Sequence, residues 1–175
     1  MSYATRESPR QGGWQRWLLL AVLITLSDQA IKFGVAFLMP LNTRLEVTSF
    51  FNLVHVLNPG AAFSLLTGAG SWSRYGLTAL ALGVSVWLML ALRHRLPRNE
   101  AVGYCLILGG ALGNVLDRIQ HGAVIDFLDF HWQGAHWPAF NVADVMITIG
   151  AILLITSSFL PKPPKVSSHG GNALR

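Results

Sequence analysis

The sequence contains little charge and almost no cysteine. Charged residues make up 12% of the 175 residues, whereas 52% are hydrophobic. This balance is far from that of a soluble globular protein and indicates a chain embedded in a membrane. The single cysteine, Cys105, excludes a disulfide framework, and its apolar neighbours predict a buried packing residue rather than a reactive thiol.

The basic residues do not form a nucleic-acid-binding pattern. The net charge is +5, but the 13 lysines and arginines are dispersed rather than clustered between aromatic residues. The N-terminus has the basic-then-apolar order of a signal peptide, but its apolar stretch is too long and lacks a small-residue cleavage site. We therefore expect no nucleic-acid partner, and we expect the first apolar stretch to remain as a transmembrane anchor.

Four apolar stretches are long enough to cross a bilayer of about 30 Å at about 1.5 Å per helical residue. They lie at about 17–37, 75–92, 101–116 and 142–160. A polar break at 93–99 separates the second stretch from the third. The sequence therefore predicts an all-α membrane protein with four transmembrane helices.

The basic residues near the span ends predict the orientation. Nine of the 13 precede the first span, separate the second from the third, or follow the fourth: Arg6, Arg10, Arg16, Arg93, Arg95, Arg98, Lys162, Lys165 and Arg175. Because lysine and arginine are retained on the cytoplasmic side, both termini are expected in the cytoplasm. Residues 38–74 and 117–141 are then expected on the outer face.

The outer segments include a second kind of structure. Residues 44–57 mix β-branched and aromatic residues, and a break follows at Asn58-Pro59-Gly60, so a small β-rich element is expected at about 42–66. No repeat divides the chain. We expect one integral membrane domain over residues 1–160 and a disordered cytoplasmic tail over 161–175.

Ionisable and small residues within the spans predict helix contacts. Asp28 and Lys32 are four residues apart and can form an ion pair that lowers the cost of burying either charge, so a structural pair is favoured. Gly109 and Gly113 form a small-residue face that is typical of close helix packing.

A polar group ends the third span. Asn114, Asp117 and Arg118 share one side of the helix end. A local ion pair is expected between Asp117 and Arg118. Asn114 lies a turn deeper and must form a hydrogen bond within the bundle.

Two further acids flank the second outer segment. Asp126 follows the third span among apolar residues, so its pKa should be raised if it is buried, whereas Asp129 is expected to be solvated. Asn141 is a natural N-cap, and Asp144 then occupies the third helical position, where it can complete a capping box. Capping alone could account for Asp144.

Asp126 and Asp144 together suggest a different role. They are eighteen residues apart on a loop that returns to the membrane surface, so both should lie at similar depth. Two close carboxylates share one proton. One can then take a proton from water while the other protonates a carbonyl oxygen, which is what water-mediated peptide hydrolysis needs.

The strings SDQAIK, NPGAAFS, GGALGNVLDR, GAVIDF and FNVAD, in this order between residues 17 and 160, resemble the bacterial lipoprotein signal peptidases (signal peptidase II). The resemblance implies that Asp126 and Asp144 are the catalytic pair. It also implies that the site is lined by Asn58, Asn114, Arg118 and Asn141. The supporting polar residues that it implies are Asp28, Lys32 and Asp117. The outer β element resembles the periplasmic cradle of that family.

The same resemblance implies a function. The family removes the signal peptide of prolipoproteins just before a cysteine that carries diacylglycerol, and globomycin resembles its substrate. The implied partners are therefore diacylglyceryl-modified prolipoproteins and membrane lipid. The resemblance also implies a monomer of the bacterial inner membrane, with its active site near the periplasmic face and without a cofactor or metal.

Three alternatives remain open on the sequence. A metal hydrolase could use Asp126, Asp129, His131 and His136, although their spacing differs from the HExxH helix. A serine protease is disfavoured because no GxSxG string occurs. A non-catalytic scaffold or small transporter subunit would use the acids only for pairing and capping, although no inverted repeat supports transport.

Overall fold

The computed structural model describes residues 13–60 and 72–159. The predictions for residues 1–12 and for the tail at 161–175 lie outside this part. The described helices are α1 (Trp14–Leu38), α2 (Trp72–Ala91), α3 (Arg98–His121) and α4 (Val142–Phe159). The described strands are β1 (Arg44–Thr48), β2 (Phe51–Asn58), β3 (Val124–Trp132) and β4 (Ala135–His136).

Each of the four helices contains a segment that is long and apolar enough to cross a membrane, which confirms the four predicted spans. These segments are Trp14–Leu38, Arg74–Ala91, Arg98–His121 and Val142–Phe159. The third extends beyond the predicted range at both ends. It begins directly after Pro97 and ends at Gly122, whose left-handed φ of 78° closes the helix with a hydrogen bond to the Arg118 carbonyl.

The strands form one antiparallel sheet in the order β1-β2-β3-β4. The predicted β-rich element at 42–66 contains β1 and β2, while its residues 61–66 lie outside the described ranges. β3 and β4 were not predicted. Residues 124–127 at the start of β3 are all buried, so the strand lacks the polar alternation that marks a half-exposed strand.

Helix α3 lies at the centre of the helix bundle and contacts α1, α2 and α4. The buried apolar core comprises Ala21, Leu88, Leu92, Ala101, Cys105 and Leu108. Cys105 is fully buried, and its thiol donates to the Trp17 carbonyl oxygen at 3.2 Å, which confirms it as a packing residue. Large apolar side chains such as Phe37 and Trp87 point outward, as expected where helices meet lipid.

Glycines bring α1 and α3 together as predicted. A Cβ atom added at Gly109 would lie 2.7 Å from Ile24, and one added at Gly113 would lie 2.5 Å from the Asp28 Oδ2 atom. Neither separation is sterically tolerable, so only glycine permits this approach. The close packing at Gly113 places the polar groups of α1 within reach of those on α3 and α4.

Candidate active site

Strand β3, which contacts α1 and α3, carries Asp126. Asp126 is only 1% exposed. Its Oδ2 atom accepts a hydrogen bond from the Asn58 side chain at 2.8 Å, and Asn58 is itself held by the Gly60 amide at 2.9 Å. Burial raises the pKa of Asp126 to about 6; the nearby negative charge of Asp144 adds to this, and the amide hydrogen bonds oppose it. The predicted burial and raised pKa are therefore both confirmed.

Asp144 lies in the first turn of α4, where it forms the predicted capping box with Asn141. The Asn141 amide donates to Asp144 Oδ2 at 3.2 Å, and the Asp144 amide donates to Asn141 Oδ1 at 3.0 Å. The other oxygen of Asp144 accepts from the Asn114 side chain at 2.8 Å. The carboxylate therefore caps the helix and also faces the polar end of α3.

Asn141 joins the two acids. It is fully buried, and its Nδ2 atom donates to Asp126 Oδ1 at 2.7 Å while its backbone amide holds Asp144. The same side chain lies 3.3 Å from the Asn114 Oδ1 atom. Because a single residue bonds both carboxylates, the fold brings Asp126 and Asp144 together as the sequence predicted.

Lys32 supports this arrangement from α1. Its ammonium group lies 2.7 Å from Asp28, 2.8 Å from Asp117 and 2.9 Å from the Asn114 Oδ1 atom. The predicted Asp28–Lys32 ion pair is confirmed, and Asn114 has the bundle partners that were expected. Asp117 pairs with Lys32 rather than with Arg118, because neighbouring residues on a helix point in different directions.

The two acids bound to Lys32 each hold the backbone next to the candidate pair. Asp28 Oδ1 accepts from the Ala143 amide at 2.9 Å, one residue before Asp144. Asp117 Oδ2 accepts from the Ile125 amide at 3.1 Å, one residue before Asp126. A single buried lysine thus pairs with two acids that fix the backbone on both sides of the site.

Arg118 contributes positive charge and a buried donor. Its guanidinium is within electrostatic range of Asp126 and Asp144, and its Nη1 atom donates to the Asn114 carbonyl at 3.2 Å. Within residues 13–60 and 72–159, its buried Nε atom has no hydrogen-bond partner. A buried donor in this position can serve a bound ligand.

The expectation that Asp129 is solvated was wrong. It is 5% exposed and accepts hydrogen bonds from Asn52 and His136, both at 2.8 Å. Burial acts to raise the pKa of Asp129, but these hydrogen bonds and the nearby charges hold it below its usual value. The sequence did not indicate this because both partners come from other strands.

The residues proposed for a metal hydrolase do not gather into one site. Asp126 bonds to Asn58 and Asn141, whereas Asp129 bonds to Asn52 and His136, so the two acids belong to separate groups of contacts. Across the described parts of the chain, no group of three or more histidine, cysteine, aspartate or glutamate residues is arranged to hold a metal ion.

One supporting residue was missed. Gln29 donates to Asp117 Oδ1 at 2.7 Å and so adds a hydrogen bond to this buried acid. It also donates to the Gly113 carbonyl at 3.2 Å. The sequence could have indicated Gln29, because a polar side chain within a membrane span needs a hydrogen-bond partner.

Comparison with known proteins identifies the family. The family model described as Signal peptidase (SPase) II matches residues 20–160. The chain belongs to the signal peptidase II family. It is therefore an aspartic-type peptidase and a bacterial membrane protein, which removes the scaffold, transporter and serine-protease alternatives.

Relatives of the signal peptidase II family match over most of their length. The lipoprotein signal peptidase of Aeromonas hydrophila is 49% identical over 153 residues, covering 86% of this chain and 92% of the relative. That of Serratia marcescens is 46% identical over 152 residues, covering 87% and 89%. A solved structure described as a bacterial membrane enzyme at 1.9 Å resolution superposes with a TM-score of 0.71 at 30% identity, covering 83% of this chain and 93% of that one.

Proposed function

We propose that this protein removes the signal peptide from prolipoproteins by cleaving before the diacylglyceryl-modified cysteine, with Asp126 and Asp144 as its catalytic pair. The observation that carries the proposal is the hydrogen bonding of Asn141, which reaches Asp126 at 2.7 Å and Asp144 at 3.2 Å. The names of the relatives support the substrate class.

The chemistry follows from the different surroundings of the two acids. The raised pKa of Asp126 favours it as the carrier of the shared proton, which leaves Asp144 as the base. Asp144 takes a proton from a water molecule as its oxygen attacks the scissile carbonyl, and Asp126 gives its proton to the carbonyl oxygen. The resulting diol then collapses, the carbon–nitrogen bond breaks, and the leaving amine takes a proton from the pair.

The remaining polar residues hold this pair and the substrate in place. We assign Asn58, Asn114 and Asn141 to orienting the carboxylates, because each donates to one or both of them. Arg118 offers its buried Nε atom to the substrate backbone or to the developing diol. The supporting polar residues are Asp28, Lys32 and Asp117.

The site is proposed to lie at the periplasmic boundary of the inner membrane. The distribution of basic residues supports cytoplasmic termini, and this puts the β element and the start of α4 on the outer side. Acyl chains held in the bilayer would fix the scissile bond at this depth and so reduce the entropy lost on reaction. We propose a monomer with one peptidase domain over residues 1–160 and a cytoplasmic tail.

The test is cleavage of matched precursors by the full chain in proteoliposomes. A precursor carrying diacylglyceryl cysteine should be cut immediately before that cysteine, and the same precursor with an unmodified cysteine should remain intact. Globomycin should block the reaction, whereas a strong chelator should not. Equal cleavage of both precursors, or loss of activity on chelation, would remove this proposal.

A matched control separates the site from the rest of the sheet. Glu46 is an exposed acid on β1, so Glu46→Gln removes one carboxylate without touching the site. This variant should process the lipid-modified precursor at the wild-type rate. Asp144→Asn, which removes the proposed base, should not process it.

A further inference from the structure

Asp129 is a buried acid that the proposed reaction does not use. Its carboxylate accepts from the Asn52 side chain and from His136 Nδ1, both at 2.8 Å, and the Arg44 guanidinium lies 3.9 Å away. Asp129 lies on β3, and its partners Asn52, His136 and Arg44 lie on β2, β4 and β1. Every strand of the sheet therefore contributes one side chain to a single polar group, which we call the four-strand clamp (Arg44, Asn52, Asp129 and His136).

The clamp includes a strand, β4, that has few backbone pairs. β4 has two residues and pairs with β3 only at His131–His136 and Trp132–Ala135. A hairpin arm this short is weakly held by its backbone alone. The Asp129 carboxylate binds two partners at short distance, and hydrogen bonds to an ionised group are stronger than those between neutral groups. The side-chain group therefore adds to the backbone hydrogen bonds of this arm, which include one from the Trp137 amide to the Phe130 carbonyl at 2.8 Å.

Both arms of this hairpin lead to the catalytic pair. β3 carries Asp126, and the chain that follows β4 reaches Asn141 after residues 137–140. On the way, Phe140 forms backbone hydrogen bonds with Leu128 at 2.9 and 3.1 Å and stacks on the Phe130 ring at 5.9 Å. The hairpin thus sets the distance between Asp126 and the residue that bonds both carboxylates.

We propose that the four-strand clamp positions Asp126 for catalysis, with Asp129 as a positioning residue further along the same strand. The inference rests on the proposed roles of Asp126 and Asp144. The Asp129 carboxylate bonds to Asn52 and His136 and to neither catalytic acid, so its role in the reaction is indirect. It acts by fixing the strand that carries the catalytic carboxyl group.

Asp129→Asn in the full chain, assayed in proteoliposomes with the lipid-modified precursor, tests this role. The variant keeps the shape of the side chain but replaces the charged acceptor of His136. We expect kcat to fall about tenfold with KM within about twofold of wild type, because a small displacement of a reacting group is costly to rate. Glu100→Gln, which removes an acid from the first turn of α3 and so from the other end of that helix, should leave both constants unchanged.

The pH profile distinguishes positioning from general destabilisation. The charged residues around Asp126, which are Lys32, Arg118 and Asp144, remain in place in Asp129→Asn. If β3 loosens, Asp126 gains contact with water, and the alkaline limb of kcat/KM should move to lower pH. Loss of folded protein would instead lower kcat/KM by the same factor at every pH, without moving the limb. That result would overturn the proposal.

A charge swap provides the rescue. Combining Asn52→Asp with Asp129→Asn returns a carboxylate–amide pair to the same two strands. We expect the kcat of this double variant to be at least threefold higher than that of Asp129→Asn. His136→Gln changes an exposed member of the clamp. In this variant the alkaline limb of kcat/KM should also move to lower pH, by a smaller amount than in Asp129→Asn. Wild-type kcat and pH profile in both Asp129→Asn and His136→Gln would overturn the proposal.

The outcomes for the clamp and for the catalytic pair are separable. If Asp126→Asn is inactive while Asp129→Asn behaves as wild type, the clamp is refuted and the proposed function stands. If Asp126→Asn still processes the precursor, the proposed function itself fails, and with it the positioning role of Asp129.

Discussion

Replacing Asp126 by asparagine is expected to stabilise the fold at neutral pH while it removes activity. The pKa of the buried Asp126 is raised from 3.8 to about 6, and each pKa unit corresponds to about 1.4 kcal/mol, so ionisation of this group costs the folded state roughly 3 kcal/mol. Asparagine cannot ionise. Its single carbonyl oxygen replaces the two carboxylate oxygens that accept from Asn58 and Asn141, which returns about 1–2 kcal/mol of the gain. The net gain expected is about 1–2 kcal/mol.

The sign of this effect depends on pH. Between about pH 4 and 6 the folded state binds the Asp126 proton more tightly than the unfolded state, so wild-type stability falls as pH rises through that window. The advantage of Asp126→Asn is therefore fully present above pH 6. Most of it is lost by about pH 4, near the unfolded-state pKa of 3.8, and it disappears at lower pH, where the wild-type carboxyl group is protonated in both states.

Thermal unfolding of the detergent-solubilised full chain measures this prediction. For a chain of this size about 1 kcal/mol corresponds to roughly 2–4 °C, so the midpoint of Asp126→Asn should rise by about 2–8 °C near pH 7.5 and should not rise near pH 4. Glu46→Gln, at an exposed acid, should change neither midpoint. An unchanged midpoint at pH 7.5, or an equal gain at both pH values, would refute the reasoning.

Three further predictions concern the supporting structure. Gly113→Ala places a methyl group 2.5 Å from Asp28 and should destabilise the fold by about 1–3 kcal/mol, whereas Gly83→Ala, with nothing within 4 Å, should be neutral or stabilising in the same unfolding assay. Lys32→Met leaves Asp28 and Asp117 buried without their cation and should cost about 3–5 kcal/mol; a wild-type midpoint would contradict the proposed support. In steady-state assays kcat/KM should fall as pH rises above about 6, when the catalytic pair loses its shared proton, and a flat profile to pH 9 would argue against that pair.

The features that local physics determines could be read from the sequence. A bilayer requires long apolar helices, so the apolar stretches of the sequence located all four candidate spans. The capping box of Asn141 and Asp144 depends on residues three apart, and the Asp28–Lys32 pair on residues four apart, so both were predictable.

The features that depend on distant parts of the chain were missed. β3 is buried on both faces at its start, which removes the alternation that would mark it as a strand. The partners of Asp129 come from three other strands, and no spacing in the sequence indicates them. Asp117 finds Lys32 only because Gly113 lets α1 and α3 approach so closely, and that depends on packing rather than on local pattern.

The most direct test of the account compares Asp126→Asn, Asp144→Asn and the double variant in cleavage of the diacylglyceryl-modified precursor. Because residues that share one proton act as a unit, each single variant should fall to the same background rate as the double variant, with all three chains folded and inserted. A single variant that retains a tenth or more of the wild-type rate, or losses that multiply in the double variant, would contradict the claim that these two carboxylates form the catalytic pair.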